Sequence, residues 1–554
     1  MSQSGLLPSV GSPSLPAAAA EPGPAAGFGW RRLVTPGCFL AAGVVLYVLY
    51  LAQARRTGFG SDGAVIAQQG WDVLHGNVLL HGWELPDIAF YTIEVPEFAV
   101  LEWLRGGLDP GVIASLEALN LTVVVLLAAL VAKGRATGRE GLVRALIAAG
   151  ILLAPTPGPA ATLMLANPDH LATQIPLLLV WLILDRAAPR WWVPVAVGAL
   201  LAWARTSDAI VLLEGEIPLF AVCAVRMYRR RGPLRGQWYD ASLAAAAVLA
   251  NEAATVALRL VREHGGFTAF PLQEVFASIS AWAGNFFVTV QSFFDLYGAD
   301  FSGQRLAATP QLIIPAVHLA GVALAVAAIW QAVRRLPDAG LMIQVLTAAM
   351  VGSLTAYTVL AWYTAPGGAH DLMPVLPVGA VLAGRLLTVG VIRRGLVPAL
   401  AVALGLYGVF LWRDAAIAEP SPAIAQHQRL AAWLTSHHLG YGLSDYYAAS
   451  LLSVDSGGAM VVPVSRRAGQ LALSPWNSQA SWYDPGQHDA TFFVASQMQG
   501  CAAGDAASWE AAARSAFGPP AATYSVAGAE VMVWHRNLLS DYLPALEPHR
   551  PPAC

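Results

Sequence analysis

The 554-residue chain is 56% hydrophobic and only 12% charged, with a formal net charge of −3 at pH 7. Soluble domains carry roughly 25% charged residues, so this composition excludes one and reads as a polytopic α-helical membrane protein. The near-balanced charge singles out no partner, and nothing in the chain suggests nucleic acid or ATP.

Residues 1–30 are rich in Pro, Ala, Ser and Gly and lack a basic start, which reads as a disordered cytoplasmic tail. Arg31, Arg32, the apolar run behind them and Ala52–Ala54 mimic a signal peptide, but the run is too long for a usual h-region. Apolar runs long enough for a hydrocarbon core ~30 Å thick follow. They predict about eleven transmembrane helices at 34–54, 115–132, 141–157, 172–185, 191–206, 208–225, 239–258, 312–333, 341–362, 372–392 and 395–412.

Basic residues set the orientation. Arg31/Arg32, Lys133/Arg135/Arg139, Arg186/Arg190, the cluster from Arg226 to Arg235, Arg334/Arg335 and Arg393/Arg394 fall in alternate short connections. The positive-inside rule puts these in the cytoplasm and the N-terminus with them. The opposite connections face outward: 55–114, 155–170, 259–311 and 363–371. An odd number of spans leaves 413–554 outside, a small extracytoplasmic α/β domain with a helical stretch, "AIAQHQRLAAWLTSHH", and strand-like runs "AMVVPVS", "ATFFVAS" and "AEVMVWH". The transmembrane domain is then 31–412, with long outer loops 55–114 and 259–311.

Cys38 and Cys223 fall in apolar spans and read as inert packing residues, while an outward C-terminal domain permits a Cys501–Cys554 disulfide. The outer loops carry more than connection. Ser61 in "GFGSDGAVIAQQGWDVLHGN" predicts a helix N-cap, with Asp62 in the first turn where the helix dipole favours a carboxylate. The aromatic segment "FPLQEVFASISAWAGNFFVTVQSFFDLYGADF" predicts a stretch lying along the membrane interface, its rings dipping into lipid.

Ionisable residues gather at two depths. At the outer surface stand Asp62, Asp87 and Glu94, then Asp169 with His170, Asp208, and His370 with Asp371. Four loops thus each bring a carboxylate to one surface, a set able to hold an acceptor hydroxyl, act as a base or bind a metal. Singly, each reads as a cap or a solvated charge. About 10 Å deeper, Glu214, Glu216, Glu252 and His318 share a depth that predicts one water-filled cavity, with local pairing to Arg205 and Arg259 as the alternative. No P-loop, Rossmann glycine pattern, zinc-spaced Cys/His set or nucleophile elbow is present, so any energy must arrive with an activated substrate.

Asp62 just beyond the first span, a long first outer loop and an outward domain after the last span together resemble the GT-C class of membrane glycosyltransferases. More narrowly, "SDGAVIAQQGWDVLHGNVLLHGW", "GLSDYYAASLLSVDSGGAMVVPV" and "SWYDP" are similar to a set of actinobacterial integral membrane proteins. The resemblance implies a GT-C-like fold and an inverting transfer of a sugar from a polyprenyl-phosphate donor to an envelope glycan or lipid acceptor. Asp62 would be the base or the residue that orients the acceptor. Gly63 follows it where many members have a second acidic residue, so a divalent metal is left open. The carrier phosphate would meet Arg205, Arg259, Arg262 or Arg305, and the aromatic loop would hold its chain. Trp476, Trp482 and Tyr483 would grip a glycan or form ordinary core. Two other classes compete: a transporter or flippase of lipid-linked sugars using Glu214, Glu252 and His318 as a relay, and a non-catalytic envelope scaffold.

Overall fold

Hydrocarbon offers no partner for backbone N–H and C=O groups, so every apolar run must satisfy them internally. Each is a helix in the computed structural model, which describes residues 31–166, 170–230, 234–270, 275–301, 310–361, 368–417, 419–467, 469–496 and 506–541. The chain opens with α1 (Arg31–Thr57) and leaves it for α2 (Ser61–Leu74), β1 (Trp83–Leu85) and α3 (Glu94–Arg105). It then runs through α4 (Pro110–Lys133), α5 (Gly138–Leu152), the short α6 (Pro159–Leu165), α7 (Gln174–Arg186) and α8 (Trp192–Ser207). Next come α9 (Ile217–Arg230), α10 (Trp238–Glu263), β2 (Thr268–Ala269) and α11 (Ile279–Leu296). The last four helices of this part are α12 (Pro310–Arg334), α13 (Leu341–Val359), α14 (Val375–Arg393) and α15 (Val397–Ala415).

Among the described residues, seven helices are long and apolar enough to cross a membrane. The eleven expected runs also include α5, α7, α8 and α9, which have 15, 13, 16 and 14 residues. At 1.5 Å per residue these reach only ~20–24 Å. α9 is preceded by a π-helical turn, Leu212–Glu216. α4 is the most enclosed of the long helices, whereas α1 and α15 are peripheral. α1 turns Leu40, Val44, Val45 and Val48 outward, an apolar flank suited to lipid. The arginine-rich ends are tied by acids, buried Asp240 to Arg226 and Arg230, and half-buried Asp185 to Arg385.

α2 begins one residue earlier than its sequence signal. Gly60 is the N-cap, in extended conformation, and Ser61 is buried inside the first turn without a capping bond. Gly60 instead donates its N–H to Ala166 C=O, which fixes the chain as it leaves α1.

The C-terminal part folds as α16 (Pro422–Ser436), β3 (Tyr441–Asp445), α17 (Tyr446–Ser456), β4 (Met460–Arg467), β5 (Gln470–Leu473) and β6 (Ser478–Gln479). It closes with β7 (Phe492–Ala495), α18 (Ala506–Phe517), β8 (Ala522–Val526) and β9 (Ala529–Val533). Strand order is β5-β4-β3-β7-β9-β8, with β3 parallel to both neighbours. Alternation on β7 sends Phe492 and Val494 toward α16 and α17, and Phe493 and Ala495 toward α18. A second, three-stranded sheet joins β1 to β2 in parallel and to β6 in antiparallel register. Two loops of the membrane part thereby pair with the C-terminal domain, and Leu80, Trp83, Leu85, Phe267, Phe270, Tyr446 and Trp476 bury their side chains along the seam.

Candidate functional site

The seam delivers a side chain to Asp62. Tyr446 Oη donates to Asp62 Oδ1 at 2.6 Å, Asn477 Nδ2 donates to Tyr446 Oη at 3.0 Å, and Gln69 Nε2 donates to Asn477 Oδ1 at 2.8 Å. Gln69 and Asp62 lie on α2, while Tyr446 opens α17. Asp445 caps that helix, accepting from the N–H groups of Tyr447 and Ala448. Asn477 has φ 50°, a left-handed conformation that asparagine tolerates better than most residues. Tyr446 is buried, and burial together with the Asp62 carboxylate raises its pKa well above the usual tyrosine value. The hydroxyl therefore remains a donor. Asp62 itself is half-buried, and its Oδ2 accepts no hydrogen bond among the described residues.

A second cluster lies inside the membrane part. His170 Nδ1 meets Asp208 Oδ2 at 2.7 Å and His170 Nε2 meets Asp371 Oδ1 at 3.4 Å. Asp208 also accepts from Thr173 Oγ1 at 2.8 Å and from the Ile210 N–H at 3.0 Å. The His370 ring lies parallel to His170, centroids 6.0 Å apart, and its Nε2 is 3.3 Å from Asp371. Burial alone would lower the His170 pKa, but Asp208 and Asp371 outweigh it and hold the value well above normal. His170 has φ 63°, so a buried imidazole is held on a strained backbone. Glu94 stands nearby, accepting from Ser207 Oγ at 3.1 Å. Its pKa is raised by burial and by repulsion from Glu97 and Asp208. The π-helical turn carries Glu214, whose Oε2 is 3.5 Å from Gln174 Nε2. π-turns widen a helix locally and often occur at functional sites.

The structure thus joins Glu94, His170, Asp208, Glu214, His370 and Asp371 in one buried region and leaves Asp62 with the seam. Asp87 is half-buried near the start of α3. Asp169, Arg305, Cys501 and Cys554 lie outside the described residues. Among the described residues no group of three or more His, Cys, Asp or Glu side chains could hold a metal ion.

The deeper residues do not share one cavity. Glu252 is exposed, because the packed face of α10 runs through Leu243, Ala247, Ala250 and Ala254 and turns Glu252 away. His318 is buried against Tyr407, ring centroids 4.7 Å apart, with Gly298 on its other side. Glu214 has different neighbours, Gln174, Asp208 and His170. Of the expected phosphate ligands, Arg205 is half-buried with Glu216 in electrostatic reach, whereas Arg259 and Arg262 are exposed near the end of α10. Trp476, Trp482 and Tyr483 belong to the packing. Trp482 meets Trp83 edge-on at 5.0 Å, Trp476 lies 4.9 Å from Phe270, and Tyr483 Oη donates to backbone carbonyls. Cys223 is buried, but Cys38 lies on the exposed flank of α1.

Sequence reasoning missed Tyr446, Asn477 and Gln69, although "GLSDYY" stood out as a motif. It also passed over Arg56, which pairs with Asp414. The signal was an arginine at the wrong end of the first span for the positive-inside pattern. Arg56, Arg413, Asp414 and Asp300 line a cavity of about 640 Å³ beside Phe410 and Trp412. A second cavity, about 510 Å³, is an apolar groove between α11, α12 and α13, lined by Phe286, Phe293, Phe294, Val322, Val326 and Leu354.

No family model and no curated protein sequence matches the chain. Among solved structures it is similar to ArnT from Cupriavidus metallidurans. The apo form gives a TM-score of 0.54 at 14% identity over 93% of this chain and 100% of that one. The form bound to undecaprenyl phosphate gives 0.52 at 13% identity, over 92% and 98%. An Archaeoglobus fulgidus oligosaccharyltransferase tethered with an acceptor peptide gives 0.46 at 11% identity, over 86% and 70%. The chain is a multi-pass membrane protein with the ArnT-like GT-C fold and a small C-terminal sheet domain.

Proposed function

We propose that the protein is a membrane glycosyltransferase that moves a sugar from a polyprenyl-phosphate carrier to an envelope glycan or lipid acceptor. The observation that carries this reading is Asp62: a half-buried carboxylate just past the first span of a GT-C fold, one oxygen held and the other accepting no hydrogen bond among the described residues. The acceptor oxygen attacks the anomeric carbon, Asp62 takes the acceptor's proton, and the bond to phosphate breaks with its electron pair leaving on the polyprenyl phosphate. The site faces outward, with the N-terminus cytoplasmic, as the arginine distribution argues. Undecaprenyl phosphate is bound in one of the similar structures, which supports a carrier of that class. The apolar groove between α11, α12 and α13 suits the chain of such a lipid. Half-buried Arg205 suits the leaving phosphate better than the exposed Arg259 and Arg262, because a cation removed from water stabilises developing charge more strongly. The narrower kinship with actinobacterial membrane proteins rests on the quoted motifs alone.

The test uses purified protein in lipid nanodiscs, a panel of labelled polyprenyl-phosphate sugars and a crude envelope acceptor fraction. Transfer by the wild type and its loss in Asp62→Asn is the expected result. Transfer by both proteins moves the base elsewhere, and absence of carrier binding by either overturns the reading.

A further inference from the structure

In a nucleophile or base constellation, the reacting group is usually held in place by another side chain that touches no substrate. Asp62 has such a partner, and it comes from the other end of the chain. We propose that the C-terminal domain completes the catalytic site: Tyr446 grips Asp62 by Oδ1, so that Oδ2 is the oxygen that receives the acceptor's proton. This rests on the glycosyltransferase reading and adds a positioning residue to it.

Three observations carry the inference. The Tyr446–Asp62 bond, at 2.6 Å, joins α17 to α2 across 384 residues of sequence. The tyrosine hydroxyl is itself oriented: Asn477 donates to it, which leaves its own hydrogen for Asp62. Asn477 in turn is fixed by Gln69, one helix face along from Asp62, so the relay begins and ends on α2. The domain that supplies Tyr446 and Asn477 is also docked by backbone pairing, β6 against β1, next to this relay. A carboxylate held at one oxygen on a docked frame keeps its rotamer when the acceptor arrives, and such pre-orientation is a large part of catalytic rate. Tyr446 reaches Asp62 from α17, with Asn477 and Gln69 behind it.

Loss of the tyrosine hydroxyl frees Oδ1 and leaves the Asp62 carboxylate more open to a reagent. The experiment follows the rate of carbodiimide modification of Asp62 at one fixed pH by peptide mass spectrometry, on the full chain in nanodiscs, for wild type, Tyr446→Phe and Asn477→Ala. In parallel, kcat and the donor KM are measured. Modification is expected to be several-fold faster in Tyr446→Phe, where Oδ1 has lost its donor, and to speed up less in Asn477→Ala, where the donor has lost its anchor. Transfer by Tyr446→Phe should fall ~10- to 100-fold in kcat with the donor KM little changed, because the loss is in orientation. Asn477→Ala keeps the ring and the hydroxyl, so it tests the relay even if Tyr446→Phe folds poorly. Unchanged modification rates in both variants overturn the inference whether or not the wild type transfers sugar. A changed rate in a protein that transfers nothing overturns the catalytic use of the bond and, separately, the proposed function. A faster Tyr446→Phe variant also overturns it, since the hydroxyl would then be occupying the acceptor's place.

Discussion

Asp62 and His170 both stand where the membrane helices meet the loops, and they are held in opposite ways. His170 is enclosed, with an acid on each ring nitrogen and a second histidine stacked against it. Asp62 is half-buried, with one donor on one oxygen. A group with both ring nitrogens engaged holds loops together, here the segment before α7, the turn after α8 and the segment before α14. A carboxylate with one oxygen that accepts no hydrogen bond among the described residues can still meet a substrate. Burial of a charge is not in itself a mark of catalysis.

The sharpest way to break this comparison is Asp62→Asn. Transfer should fall by about 10²–10⁴, the usual worth of a positioned base, with the apparent melting temperature close to wild type. An Asp62→Asn protein that melts early but still transfers would make Asp62 the structural member of the pair. Asp208→Ala should do the reverse. It leaves Thr173, the Ile210 N–H and His170 without their acceptor, and breaking a buried pair costs about 3–5 kcal/mol. Thermal unfolding in nanodiscs checks it, and a stable variant that has lost transfer would shift the chemistry to His170. Gly70→Ala perturbs the helix that carries Asp62. Its Cβ would come within 2.7 Å of Phe98 Cβ and 3.0 Å of the Ala99 nitrogen, forcing α2 away from α3 at about 1–3 kcal/mol. The expected sign is lower transfer together with lower stability, since α2 carries Asp62 and Gln69.

The comparison also has a pH dependence. Burial raises the Glu97 pKa from 4.5 to about 7, with Asn120 opposing it. A raised folded value means the contribution to stability is present below the unfolded pKa and is lost as pH rises through about 7. Glu97→Gln stays neutral throughout, so it should match wild type near pH 4.5 and melt higher at pH 8. Equal melting at both values would mean that the Glu97 carboxylate pays no penalty beside Glu94.

Legibility followed the range of the interaction. The helical runs were readable because apolar length is a local property, and so were the strands of the C-terminal domain, where "ATFFVAS" and "AEVMVWH" became β7 and β9. The convergence of His170, Asp208 and Asp371 was readable as a set of loops sharing one surface, but not as pairs. Glu252 misled because depth along α10 says nothing about which side of the helix faces its neighbours. Trp476 and Trp482 looked like an aromatic platform, and only their partners Phe270 and Trp83 made them packing.

The sequence by itself determined that this protein crosses a membrane many times and that its apolar runs carry few charges. Both follow from the cost of placing charge and unpaired backbone in hydrocarbon. Only the tertiary structure decided that Asp62 is held at one oxygen. Tyr446 reaches Asp62 from 384 residues away through a contact under 3 Å long, and contacts of that range leave no period or spacing in the chain to announce them.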